Sequence, residues 1–181
     1  MNTTLKNIIA QINNLFGSDV FDSHDLIEQI EALESEKTEA RDWIDINLEK
    51  LEEKEDQLSE CEREELLDHE QDIKFLKEEI KELEQENDDN LEYIKEIEHL
   101  LEKIKSLGLE EAEDYEYGAT FIDENHFIDY CQEFLEECDM LPKDLANFIV
   151  IDWEATARNM DQDYRGYSFY FEGNKYNFKS R

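Results

Sequence analysis

Apolar residues recur at helical spacing from the start of the chain. Leu5, Ile8, Ile9, Ile12, Leu15 and Phe16 predict a short first helix, which Gly17, Ser18 and Asp19 close. Asp22 or Ser23 can cap a second helix by accepting from its orphan amides. An extended helical region comes next. Ile30, Leu33, Ala40, Ile44, Leu51, Leu58 and Cys61 occupy the a and d positions of one heptad frame, with Lys37, Asn47 and Lys54 as polar interruptions. Ile73, Leu76, Ile80, Leu83, Ile94, Ile97, Leu101 and Ile104 fill a second frame, with Asn87 and Asn90 among its a and d positions. The stripe slips by one position between Leu58 and Ile73, so the sequence predicts a break there. Two geometries fit a coiled coil of this kind. Either one long helix pairs with a second chain, or a hairpin turns near Ser59–Arg63, where Ser59 and Glu62 have capping-box spacing. A buried Asn in such a seam penalises misaligned registers.

Ser106, Leu107 and Gly108 end the helical region, and Glu110–Glu116 reads as a charged linker. Beyond it the heptad is lost and aromatics rise. Tyr117–Ile122 predicts a strand, and Glu124–Cys138 a helix burying Phe127, Ile128, Cys131, Phe134 and Leu135. Pro142 suits the first turn of a helix through Leu145 and Phe148. Ile149–Ile151 predicts a short buried run, and Asp152 a cap on a helix from Trp153 to Met160. Tyr167–Phe171 and Lys175–Lys179 predict a hairpin around Gly173 and Asn174. The expected fold is therefore α-rich α+β: a short N-terminal helix (1–22), an acidic helical coiled coil, hairpin or dimer (23–108), and a small acidic α+β domain ending in a β-hairpin (109–181).

Charge changes the picture most. The 181 residues hold 51 Asp and Glu against 18 Lys and Arg, a formal net charge of −33. The excess lies on segments that otherwise read as folded, −20 over 24–105 and −15 over 106–164. Self-repulsion of this size opposes a compact state, which points to a use in solubility, steering or imitation of a polyanion. A phosphate backbone attracts Lys and Arg, so direct binding to nucleic acid or anionic lipid is not expected, and a basic partner surface is. Cys61, Cys131 and Cys138 form no CxxC pair and read as reduced thiols of a cytoplasmic protein. Met1–Phe16 does not read as a signal peptide, and no stretch of about twenty apolar residues would span a membrane.

Candidate chemistry is sparse. Asp161, Asp163, Gly166 and Glu172 coincide with four positions of a calcium-binding loop, but Arg165 falls at a ligand position and a hairpin, not a helix, comes after it. A polar turn is the better reading, with no cofactor or metal expected. His24, His69, His99 and His126 have no metal-ligand spacing with the cysteines, and no nucleotide-binding or nucleophile motif is present, so no enzymatic activity is expected.

The run GATFIDENHFIDYCQEF (118–134), the CDMLP stretch (138–142), IDWEATARNMDQDY (151–164) and the final aromatic hairpin resemble the ArdA-type antirestriction proteins of phages, plasmids and conjugative elements. The resemblance covers about Tyr117–Arg181. Its most specific part places Asp152, Trp153, Glu154, Ala157, Arg158 and Tyr164 in the family's antirestriction motif. It implies an elongated acidic homodimer that imitates bent B-form DNA and occupies the DNA groove of type I restriction-modification enzymes in the host cytoplasm. The helical region stands where that family has other α+β segments. On this reading Asp123, Glu124, Asp129, Glu133, Glu136, Glu137, Asp139, Asp144, Asp161 and Asp163 would stand in for phosphates. The alternatives are an acidic coiled-coil scaffold with a C-terminal docking domain, or a mimic aimed at another nuclease such as a CRISPR effector.

Overall fold

A computed structural model describes residues 3–63, 70–142, 149–163, 168–171 and 173–178. Its elements in chain order are α1 (Thr3–Leu15), β1 (Val20–Asp22), α2 (Ser23–Arg63), α3 (Glu70–Lys105), α4 (Tyr115–Gly118), β2 (Thr120–Asp123), α5 (Phe127–Glu137), α6 (Trp153–Met160), β3 (Ser168–Phe171) and β4 (Asn174–Asn177), with 3₁₀ turns at Leu109–Glu111, Glu124–His126 and Asp161–Asp163. Among the described residues no helix is long and apolar enough to cross a membrane. The chain divides into two units, Met1–Lys6 with Glu31–Leu101 and Asn7–Ile30 with Glu102–Arg181.

In the first unit α2 and α3 run antiparallel. Lys54 Nζ reaches Glu79 at 2.9 Å, and one heptad away on both helices Asn47 Nδ2 donates to Glu86 at 3.2 Å. Further along, Arg41 pairs with Glu98 at 2.9 Å, and Tyr93 donates its hydroxyl to Glu36 at 2.5 Å. The polar interruptions of the first frame are thus matched by acids from the second. Leu33, Ala40, Leu76, Ile94 and Ile97 are buried between them. The capping-box spacing at Ser59 starts no helix: α2 continues through Arg63, and Glu62 instead pairs with Lys77 at 2.8 Å.

Asn47 and Asn87 are 1% and 8% exposed, and the Oδ1 of each finds no donor. A buried unsatisfied carbonyl costs about 1–3 kcal/mol. The double substitution Asn47→Leu with Asn87→Leu is therefore expected to stabilise the pair by about 2 kcal/mol, raising Tm by several degrees in a thermal circular-dichroism scan. A lowered Tm would show instead that the amides stabilise the seam.

The second unit is built on a four-stranded antiparallel sheet in the order β1-β2-β4-β3. Residues 1–22 are expected to stand apart as a short helix, yet Val20, Phe21 and Asp22 pair with Ile122, Phe121 and Thr120. The reason is aromatic. Phe21 stacks on Phe121 with centroids 5.0 Å apart, and Phe16 stacks on Phe171 at 3.9 Å. Tyr176, fully buried, donates its hydroxyl to the Phe16 carbonyl and stacks on Phe169. On the opposite face Ile122 packs with Phe127 and Cys131 of α5 and Ala157 of α6.

Ser23, at the start of α2, is fully buried and joins this sheet to the segment after α3. Its hydroxyl donates to the Tyr115 carbonyl and accepts from the Ala119 amide, both at 2.7 Å. Asp22 takes the capping role, accepting from the His24 amide at 2.7 Å. Gly108 ends α3 at φ +68, as its position in the sequence predicts. The expected linker Glu110–Glu116 is instead packed structure, because Leu109 and Ala112 are three apart and both buried. The strand expected from Tyr117 starts only at Thr120. Gly118 holds φ +107, and a Cβ there would lie 3.2 Å from Asp22 Oδ2 and His24 Nδ1. The final hairpin forms with shifted bounds: Asn174, expected in the turn, is in the strand and pairs with Phe171, β4 ends at Asn177, and Gly173 supplies φ +95 in the turn, while Tyr167 and Lys179 lie outside the described residues. Ile149–Ile151 is not a buried run: Ile149 is 50% and Val150 88% exposed. The helix expected through Leu145 and Phe148 lies outside the described residues.

Candidate interaction surface

Helix α5 carries the densest set of the candidate acids. Phe127 and Cys131 are buried, which locks one side of the helix against the sheet. Ile128 and Phe134, expected in that core, are 40% and 37% exposed. Burial, with Asp161 adding to it, pushes the Cys131 thiol up to about 11, so this cysteine is a packing group rather than a nucleophile. Asp129, Glu133, Glu136 and Glu137 are all exposed on the other side. At about 100° per residue they fall within an arc of roughly 100° and span about 12 Å of helix.

Three of the acids at this end sit where local physics disfavours them. Glu136 and Glu137 lie in the last turn of α5, which carries no basic residue, so they face the negative end of the helix dipole. Asp139 comes next at φ +52, a left-handed position that glycine or asparagine ordinarily takes, and there the Met140 amide donates to the Leu135 carbonyl at 3.0 Å.

The remaining candidates separate. Asp123 is buried, and its Oδ1 accepts from the Asn125 amide at 2.8 Å, with His126 Nδ1 3.9 Å away and also 3.0 Å from Asp19. It shapes the turn into α5 and presents no free carboxylate. Glu124 is exposed but paired with Lys175, whose own pKa is raised first by that hydrogen bond. Asp161 is partly buried at the end of α6, where the 3₁₀ turn to Asp163 begins. Asp144 and Tyr164, with Gly166 and Glu172 of the calcium-loop pattern, lie outside the described residues. Among the described residues no cluster could hold a metal ion.

The motif helix α6 has the predicted bounds. Asp152 Oδ1 accepts from the Ala155 amide at 2.9 Å, and the Asp152 carbonyl accepts from Thr156 Oγ1. Ala157 is buried with Met160 packed beside it, and Trp153 is partly buried. Glu154 and Arg158 are exposed and, among the described residues, form no ion pair with each other. The motif residues therefore build a capped, core-packed helix beside α5 rather than a reactive constellation.

No family model, no curated protein and no solved structure matches this chain. The antirestriction resemblance accordingly rests on the residues of 118–134, 138–142 and 151–164 and the final hairpin.

A second surface escaped the sequence reading. Trp43 falls outside the heptad frame and is 56% exposed; with Tyr93 it lines a groove of about 580 Å³ between α2 and α3. Only the antiparallel register brings these two rings to one side, and heptad counting on a single helix does not supply that register.

Proposed function

We propose that the protein is a non-enzymatic inhibitor that presents ordered carboxylates, in place of nucleic acid phosphates, to the basic DNA-binding surface of a host defence enzyme. A type I restriction-modification enzyme is the first candidate. The observation that carries the reading is the acidic face of α5 and its end, where Glu136, Glu137 and Asp139 occupy positions that helix electrostatics and backbone conformation disfavour. Residues kept against local preference point to a role outside folding. The opposite face of α5 is held by the core, so binding need not order the carboxylates.

The long helices extend the same logic. B-form DNA carries one charge per about 1.7 Å of axis. The net −20 of residues 24–105, spread along a single extended helix of about 120 Å, would give one charge per roughly 6 Å. Folding α3 back on α2 halves that spacing to about 3 Å, closer to the polyanion. We assign the pair the character of an intrachain coiled coil. The homodimer implied by the resemblance would then form away from their seam, whose apolar positions already face each other.

Binding to a purified type I enzyme should weaken steeply with salt between 50 and 500 mM, because carboxylates and the cations they meet are screened. Light scattering on the eluted complex gives the stoichiometry. Affinity independent of salt would remove the charge-based reading, and a single copy of the chain per site would remove the dimer.

A further inference from the structure

The groove between α2 and α3 differs from a general acidic surface. Six of its ten lining residues are Asp or Glu, none is Lys or Arg, and Trp43 and Tyr93 supply two aromatic rings. Helical phase places Arg41 and Glu98 on the opposite flank of the seam, where Lys37 also lies 3.9 Å from Glu98. Lys37 and Arg41 thus neutralise one flank, and on α2 Lys50 is the cation that reaches the groove side, beside Trp43. Tyr93 is braced by its hydrogen bond to Glu36, so one wall is fixed. Trp43 already takes a cation, since Lys50 Nζ sits 5.9 Å from its ring centroid, at the outer limit of a cation–π contact.

The carboxylates demand donors. Glu86, in the lining, already accepts from the Asn47 amide, and Glu39, Glu92 and Glu96 line the same groove. A ligand that fits this chemistry is cationic, flat enough to lie on an indole and rich in N–H groups. A guanidinium has all three properties, while an ammonium lacks the planar face and has fewer donors. The acid excess of the chain makes a second copy a poor occupant of this groove, and a nucleic acid has the wrong charge for it.

We propose that this groove captures an arginine side chain carried on a basic segment of a partner protein, stacked on Trp43 and ion-paired to Glu39, Glu92 and Glu96. The inference does not depend on DNA mimicry, because an arginine groove would serve a scaffold as well as an inhibitor.

The test is titration of the full-length protein with a hexa-arginine peptide and, separately, a hexa-lysine peptide at 150 mM salt, followed by NMR of the Trp43 indole N–H and by calorimetry. Hexa-arginine should bind more tightly than hexa-lysine and move the Trp43 signal. Trp43→Ala should weaken hexa-arginine by about tenfold, and Trp43→Phe should retain most of the affinity. The triple variant Glu52→Gln, Asp56→Asn, Glu60→Gln removes three exposed charges from α2 away from the groove and should change binding less than Trp43→Ala does. Trp43 is more than half exposed, so its loss should leave the thermal transition in place, and a thermal scan of each variant checks this. Equal binding of the two peptides, or a Trp43→Ala effect no larger than that of the triple variant, would overturn the proposal in favour of diffuse polyanion attraction.

Discussion

Replacing Asp129, Glu133, Glu136 and Glu137 with Asn and Gln should weaken binding to the DNA-binding target by about 100-fold while leaving the fold intact or slightly more stable. Each exposed ion pair with a basic surface contributes at most about 1 kcal/mol, and four lost together approach about 3 kcal/mol. The stability change has the opposite sign. Removing Glu136 and Glu137 relieves repulsion at the C-terminal end of α5, worth about 0.3–1 kcal/mol per charge, which outweighs the one favourable first-turn charge lost with Asp129. Affinity from calorimetry and Tm from a thermal scan should therefore move in opposite directions. A scaffold whose charge serves solubility would lose no partner affinity in this variant. A fall in Tm with unchanged affinity would place these acids in folding rather than recognition.

A fragment of residues 109–181, the expected α+β domain, should not fold. It lacks β1, leaving β2 as an open edge, and lacks Phe16 and Phe21, each of which meets several rings of the sheet. It also lacks Ser23, the group that ties Tyr115 to Ala119. Losing a large buried aromatic costs about 3–5 kcal/mol, so two cost as much as the roughly 5–15 kcal/mol by which a domain is stable. The expected result is an absent cooperative thermal transition and weak near-ultraviolet circular dichroism. A sharp transition in the fragment would show that the N-terminal strand is dispensable.

The absence of β1 from the expected elements has a physical origin. Val20–Asp22 is three residues long and lies between a helix stop at Gly17 and a helix start at Ser23, too short for alternation to show. Its partner is a hundred residues away, and only the match of Phe21 to Phe121 identifies it. Local signals fared better. The cap at Asp152, the bounds of α6, the stop at Gly108 and the turn at Gly173 each depend on one residue's hydrogen bonding or φ, which sequence states directly. Ile149–Ile151 misled because an apolar run says nothing of what covers it. The exposed acids of α5 follow from its helical period. The burial of Asp123 and the pairing of Glu124 with Lys175 depend on the sheet and could not be read in advance.

The measurement that meets the central claim most directly is competition with DNA. A fluorescent duplex bearing the recognition site is held by a purified type I restriction-modification enzyme, and the protein is titrated in at 50 mM and at 300 mM salt. Mimicry predicts full displacement of the duplex at low salt, with an apparent affinity that falls as duplex concentration rises and weakens at high salt. Undisturbed duplex binding at saturating protein and low salt, or a ternary complex holding protein and DNA together, would contradict it.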